Sequence, residues 1–544
     1  MERISEKVFL QLNMPTEDVP LSDEQRIRLA LQSLGYQPVV FPLHILRRLY
    51  PLCRNAGFDI TVTLVRREAD WVITHLESGD TRQHHYALAV DYGSTTVIMQ
   101  LVDLHSGAII GEERAVNGQT RYGTDILSRI TYALEAESHM DDLQQVTVQT
   151  FDALLCALTE STGISAASCP VMIVSGNTTM VHFLLKLDAW TVFASPYAPV
   201  TTDPGFFWGK ELDMVFEGLV YLIPSASNYV GGDIISGLLT LNIHKQEETA
   251  MFFDIGTNGE LVIGNKHWMM AGAGAAGPAL EGYISKFGMR AAPGAVDSVR
   301  ITGQELSFTT IGGEKAVGIC GSGIIDLLAQ MRLAGWINIA GELDPKASPR
   351  IRYLPEEEQY AAVYALPEES ESGKMLYFSQ QDILQYLDTK AAAFTMVESL
   401  MESAGVVESD LAHCYLSGAF PRPFGSGVRH YHRHFPGSSP SKVFRPFQYL
   451  SGRSEIALAG PLQAYRSAGS GPEHLLRPVC LHPGLSGADA GSQIHPSHGS
   501  SPVPHHPGAA AVNPVIKIAQ NPGDLPSGSA LSCGYRPYCW AVCG

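Results

Sequence analysis

No run of about 18 uninterrupted apolar residues occurs in the 544-residue chain, which argues against a transmembrane helix. Nine cysteines are scattered without a framework, as suits reduced thiols in a cytoplasm. The first residues, MERISEKVFLQL, start charged and pass straight into alternating residues, unlike a signal peptide. Positive charge is short: 37 Lys and Arg against 55 Asp and Glu leave −18, which argues against nucleic acid or an anionic membrane as partner. No GKS or GKT follows the glycine-rich stretches, so a Walker A loop is excluded. What is present is an ordinary globular composition, 45% apolar, in a chain long enough for two or more domains.

The charge is unevenly spread. Residues 421–544 hold 10 Lys and Arg against 4 Asp and Glu, with 17 of the 33 prolines and 9 of the 19 histidines. Such a composition buries little apolar surface and reads as a disordered tail, with a boundary near Phe420. At the other end, residues 1–85 read as a small α/β domain. Val8, Leu10 and Leu12 alternate as in a strand, and Ser22 with Gln25 makes a capping box. A helix follows with Ile27, Ala30, Leu31 and Leu34 on one face and Gly35 as its stop. Helical spacing returns over 43–54, and Ile60, Val62 and Leu64 alternate again. Lone Cys53 reads as a small buried hydrophobe.

The main signal follows. YALAVDYGSTTVIMQLVD (86–103) is an apolar strand ending at Asp91, a turn of glycine and hydroxyl residues, and a second apolar strand. The pattern recurs 163 residues later as AMFFDIGTNGELVIG (250–264), centred on Asp254. A repeat on this scale predicts a duplicated fold, with halves at 86–245 and 246–420. A Rossmann fold is excluded, because the first glycine turn joins two strands instead of opening a helix.

These turns suit a triphosphate. Gly93 and Gly256 let backbone N–H groups approach phosphate closely. Ser94, Thr95, Thr96 and Thr257, with the amide of Asn258, offer hydrogen bonds to phosphate oxygens. Asp91 and Asp254 would hold Mg²⁺ through water, since that ion dehydrates reluctantly. Two further segments, AGAGAAGPALEG (271–282) and GICGSGIIDL (318–327), put small residues before a helical pattern. Each would let a flat adenosine lie against backbone, or would be a tight helix–strand packing point.

With these pieces in place the chain resembles the actin/hexokinase/heat-shock-chaperone ATPase superfamily, and within it the reductive activators of corrinoid proteins. The resemblance is carried by DYGSTT, NGQTRYGTDILSRI (117–130), SGNTTMVHFLL (175–185), NYVGGDIISG (228–237), DIGTNGE, AGPALEGYISKFGMRAAPGAV (276–296), GICGSGIIDL, FSQQDILQYLDTKAAAF (378–394) and YLSGAF (415–420). It implies an α/β, duplicated ribonuclease-H-like core that binds ATP. Adenosine would lie on Gly277, Pro278 and Glu281 and on Gly321, Ser322 and Gly323, with Asp91, Asp254, Asp233 and Gln119 as catalytic candidates. It also implies helices starting at 231–233 and ending at 418–419 as interdomain connections. Family members use ATP to drive one-electron reduction of cob(II)alamin on a methyltransferase partner to cob(I)alamin. The resemblance leaves a homodimer open.

Two departures stand out. Many family members begin with a ferredoxin-like domain whose four cysteines hold an iron–sulfur cluster. Here Cys53, Cys156, Cys169 and Cys320 stand singly, so no cluster is expected in this chain and electrons would come from a separate donor. CGYRPYCWAVC near the end has spacings that fit neither common cluster motif. Secondly, the family continues after LSGAF with segments like SAxxIGxFPD and NTSLxGA, and neither appears. Residues 424–436, FGSGVRHYHRHFP, can be encoded by codons that read SDLESAITIGIFP one nucleotide further on, and 447–454, FQYLSGRS, can read SNTSLEGA in the same register. A frameshift near codon 420 is the expectation, which would make HYHRH an accident of the frame. Alternatives are a small-molecule kinase of the same fold, and an ATP-binding regulatory or defective module.

Overall fold

Ser22 and Gln25 close the expected capping box: the Gln25 N–H donates to Ser22 Oγ and the Ser22 N–H to Gln25 Oε1, both at 3.1 Å. In this computed structural model, residues 4–256, 259–274, 284–418, 477–479 and 512–519 are described. The first domain runs β1 (Ser5–Gln11), α1 (Asp23–Ser33), β2 (Val39–Val40), α2 (Leu43–Asn55), β3 (Asp59–Arg67) and β4 (Asp70–Ser78). Its sheet has the order β1-β3-β4-β2. Val8, Leu10, Ile27, Leu31, Ile60, Val62 and Leu64 form its core together with Cys53, whose thiol burial pushes up to about 11. Leu34, expected on the buried face of α1, caps the helix instead and is 56% exposed. Gly35 follows at φ +90°, which ends the helix.

A second apolar cluster joins Ile4, Val65 and Val72 of this domain to Ala87, Val102, Val171, Ile173 and Leu219 of the next segment. That segment contains β5 (Tyr86–Tyr92), β6 (Thr96–Asp103), β7 (Ile109–Val116), α3 (Ile126–Glu135), α4 (Glu137–Thr162), β8 (Val171–Gly176), α5 (Thr178–Leu184), α6 (Trp190–Phe193), β9 (Gly205–Trp208), β10 (Leu219–Leu222) and α7 (Gly232–Leu241). The sheet order is β7-β6-β5-β8-β10-β9. β5, β6 and β7 form an antiparallel meander, while β8 lies parallel to β5. A parallel neighbour needs a crossover, and α3 and α4 supply it.

The chain divides into two units between Lys245 and Gln246. The second unit contains β11 (Thr249–Ile255), β12 (Gly259–Gly264), β13 (Trp268–Gly274), β14 (Ala295–Thr302), β15 (Glu305–Thr310), β16 (Gly318–Ile319), α8 (Gly321–Leu333), β17 (Ile351–Leu354), β18 (Gln359–Ala365), β19 (Leu376–Ser379), α9 (Gln380–Ala404) and β20 (Leu411–Gly418). β11, β12 and β13 again form a meander, and β20 runs parallel to β11. The local order of three meander strands and one parallel return is thus the same in both units. Gly418 ends a strand, which corrects the expectation of a helix ending there: Leu411 and, past a bulge at Ala412, residues 413–418 pair with β11. Within the tail, β21 (Arg477–Val479) and β22 (Val512–Ala519) extend the sheet from β13. The expectation of a disordered tail otherwise falls outside the described residues.

Candidate nucleotide site

In the first unit Asp91 sits at the carboxyl end of β5, 8% exposed, and Gly93, Ser94 and Thr95 turn the chain into β6 at Thr96. The turn is tight: a Cβ on Gly93 would lie 2.6 Å from the Thr96 carbonyl oxygen, so only glycine fits. On the neighbouring parallel strand, Ser175 stands in register with Asp91 and Gly176 with Tyr92. Ser175 Oγ and Ser236 Oγ are 2.8 Å apart, which ties β8 to α7. The start of α7 presses on the same strand end. A Cβ on Gly231 would come within 2.4 Å of Asn177 Cα, and one on Gly232 within 2.7 Å of the Ile223 carbonyl oxygen. Asp233, whose carboxylate accepts from the Ile234 N–H at 2.9 Å, therefore opens α7 beside the strand end next to Asp91. The carboxyl ends of parallel strands are where open α/β sheets bind ligands.

Gln119 lies elsewhere. It is fully buried, and its amide nitrogen donates to Thr147 Oγ1 at 2.8 Å, Tyr92 OH at 3.1 Å and the Leu143 carbonyl at 3.2 Å. Its carbonyl oxygen accepts from Arg129 at 3.4 Å. Successive strand side chains point to opposite faces, so Tyr92 and its partner Gln119 occupy the α4 face, and Asp91 the other. Arg129 is buried without a carboxylate on its guanidinium among the described residues, and burial lowers its pKa.

In the second unit Asp254 is the last residue but one of β11 and is 1% exposed, with Gly256 two residues on. Asp254 is in register with Ser417 of β20 and Ile255 with Gly418. Each aspartate thus has a parallel Ser–Gly pair beside it, a correspondence present in SGNTT and LSGAF though not singled out from them. Gly321, Ser322 and Gly323 form the buried first turn of α8. A Cβ on Gly323 would meet the Val296 carbonyl oxygen at 2.1 Å, so this glycine is a helix–strand packing point against β14. Asp326 in the same helix accepts from Ser298 Oγ at 2.8 Å; burial, with Asp297 adding to it, raises its pKa. Thr257, Asn258, Gly277, Pro278 and Glu281 lie outside the described residues.

Asn117 was not singled out from the sequence, although it opens the quoted NGQTRYG string. It precedes the 3-10 turn Gly118–Arg121 and ties the Asp91 turn from behind: its Nδ2 donates to the Gly93 carbonyl and its backbone N–H to the Thr95 carbonyl, both at 2.9 Å.

Residues 1–83 match the RACo linker region, 86–246 the RACo middle region, and 248–427 the C-terminal domain of RACo, the ASKHA domain. A solved structure described as a reductive activator for corrinoid, iron–sulfur protein aligns with a TM-score of 0.71 at 34% identity, covering 77% of this chain and 67% of that one. The corrinoid activation enzyme RamQ of Eubacterium limosum is 28% identical over 357 residues, which are 64% of this chain and 60% of RamQ. The Co(II) methylated amine-specific corrinoid protein reductase of Methanosarcina barkeri is 21% identical over 416 residues, 70% of each. The chain therefore spans less than two thirds of RamQ and about two thirds of the solved relative. Two units with one strand order, an aspartate turn in each, and family matches running in sequence from residue 1 to 427 place the chain in the RACo family of reductive activators of corrinoid proteins.

Proposed function

We propose that this chain is an ATP-dependent activator that drives one-electron reduction of an inactive cob(II)alamin, held on a methyltransferase corrinoid protein, to cob(I)alamin. The observation that carries the proposal is the pair of buried aspartate turns, Asp91 and Asp254, each in register with a parallel Ser–Gly strand end. Their donor set fits a magnesium nucleotide. The carboxylate at each turn would suit the water shell of a Mg²⁺ ion, and Ser94, Thr95 and Thr96 offer hydroxyl donors beside Asp91. Thr257 and Asn258 would serve the second turn, and Gly277, Pro278 and Glu281, with Gly321 and Ser322 of α8, would hold adenosine, while Gly323 serves the packing against β14.

Bound Mg·ATP would supply the free energy of binding and of phosphoryl transfer to water. What this chain would contribute is positioning: Asp91 and Asp254 would each offer a carboxylate to water on a bound ion, the turn residues would donate to phosphate oxygens, and Asp233 near the head of α7 would orient or deprotonate a water. Gln119, held by Tyr92, Thr147 and Arg129, would support the turn from the α4 face.

The energetic task is definite. Each 59 mV by which the corrinoid potential lies below its donor costs about 1.4 kcal/mol for one electron. ATP can offset this only through differential binding to two states of the partner. The electron would come from a separate donor, in line with the singly placed Cys53, Cys156, Cys169 and Cys320, and the reaction would run in the cytoplasm. No helix among the described residues is long and apolar enough to cross a membrane.

ATP turnover measured with and without a corrinoid methyl-carrier protein tests the proposal. Stimulation by the carrier is expected. A phosphorylated small product would mark a kinase instead, and tight binding without turnover an ATP-binding module.

A further inference from the structure

Asn117 is fully buried and spends every polar group it has. Besides its two bonds to the Asp91 turn, its Oδ1 accepts from the Gln119 N–H at 2.9 Å. Its carbonyl accepts from the Thr120 N–H at 3.0 Å and from Thr120 Oγ1 at 2.8 Å. The turn that carries it is anchored on α4: the Gly118 N–H donates to Thr150 Oγ1 at 3.2 Å. A Cβ on Gly118 would lie 2.9 Å from both Thr150 Oγ1 and the Val146 carbonyl oxygen, so no larger residue lets the segment sit this close. Gln119 fastens the next residue to Tyr92, Leu143 and Thr147. Asn117 is thus the last link of a rigid brace running from α4 to the turn between β5 and β6.

A turn that binds an anion must offer N–H groups and keep its carbonyl oxygens away, because those oxygens repel phosphate. In a planar trans peptide the C=O and the following N–H point in opposite directions. Holding the Gly93 carbonyl on Asn117 Nδ2 therefore fixes the Ser94 N–H to point away from Asn117. The Thr95 carbonyl is drawn to the same side by Asn117's own N–H. Both oxygens are removed from the open side of the turn by one residue.

We propose that Asn117 is a positioning residue for the triphosphate: it turns the Gly93–Ser94 peptide so that the turn presents its N–H to phosphate. This rests on the ATP reading above. It predicts a defect confined to the phosphate end of the ligand, which general damage to the fold would not give.

The test uses the full 544-residue chain and its Asn117→Asp and Asn117→Ser variants, titrated calorimetrically with MgATP and with adenosine. Aspartate keeps the shape but has no donor and sets an oxygen against the Gly93 carbonyl. Serine keeps an acceptor at the head of the 3-10 turn yet is too short to reach Gly93. Loss of one buried hydrogen bond, with its acceptor left unmet, should weaken MgATP about 10- to 100-fold while adenosine stays within about twofold. MgATP affinity unchanged in either folded variant overturns the proposal, as does an equal loss for adenosine. Should the aspartate variant fail to fold, the uncharged serine variant carries the test, and failure of both to fold assigns Asn117 a structural role and also overturns it. A wild-type chain that binds neither ligand sinks the ATP reading, and this inference with it.

Discussion

Replacing Gly323 by alanine should destabilise the second unit even with no nucleotide present. The new Cβ would stand 2.1 Å from the Val296 carbonyl oxygen and 2.8 Å from Ile319 Cγ1, where ordinary contacts need more than 3.4 Å. The strand has to yield by about 1 Å, since a helix backbone packed on both sides has no side chain to rotate away. The same Val296 oxygen accepts from the Cys320 N–H at 3.1 Å and lies 3.3 Å from Cys320 Sγ, so moving it loosens the bonds that seat α8. Overpacking costs about 1–3 kcal/mol and the weakened hydrogen bond about 1 kcal/mol. Against this, alanine gains about 1 kcal/mol of helix propensity over glycine. The net, about 2 kcal/mol, corresponds to a fall of roughly 4–8 °C in the melting midpoint of a domain this size. Thermal and urea denaturation of the ligand-free chain, followed by circular dichroism, checks it. A midpoint that stays put or rises would refute the packing argument and leave nucleotide approach as the reason for the glycine.

Three further outcomes follow from the same structure. Asp91→Asn and Asp254→Asn should each lower the Mg²⁺-dependent part of ATP affinity by about ten- to a hundredfold, the worth of bonds to a charged group; ATP titration with Mg²⁺ and with EDTA measures it, and an unchanged Mg²⁺ dependence in both would remove these residues from the ion. His75 on β4, with no hydrogen-bond partner on either ring nitrogen among the described residues, is pushed down to about 4, chiefly by burial, against opposing pulls from Glu217 and Glu77 and further lowering by Lys7 and Arg48. Its stabilising contribution is therefore complete above its unfolded pKa of about 6.5 and is lost as pH falls from there toward 4, at about 1.4 kcal/mol per unit. The His75→Leu variant should show a flatter loss of melting temperature between pH 6.5 and 4, and an identical slope would contradict the assignment. Finally, resequencing around codon 420 should reveal a one-nucleotide insertion or deletion, and an intact frame there would end the frameshift hypothesis.

The two strand–turn units that frame the proposed site were legible because their pattern is local. A strand ending in Asp91 or Asp254, followed by glycine, carries its meaning within six residues, and doing so twice marks the duplication. Ser22 with Gln25 is similarly self-contained, and the structure closes that capping box as written. What escaped is long-range. Asn117 acquires its role only because Thr96 pairs with Val116, which brings residue 117 behind the turn at residue 93. Ser175 and Ser417 matter only through their parallel register with the two aspartates, which are 84 and 163 residues away in sequence. The packing and ligand readings of Gly323 share one pattern of small residues before a helix, and only the 2.1 Å approach to Val296 separates them. Leu34 fell on the apolar face by periodicity, but α1 ends one residue too soon to bury it. Gly418 stands at a strand end because its partner is β11, and parallel pairing of that kind leaves no mark in the local pattern.

The central claim is tested most directly by mixing the chain with a cob(II)alamin-loaded methyl-carrier protein and a low-potential electron donor, and following the cob(I)alamin absorbance. With MgATP the Co(I) band should grow, and with no nucleotide, or with Asp91→Asn in place of the wild type, it should stay near the donor-only level. Co(I) formation at the same rate and extent without MgATP would contradict the account.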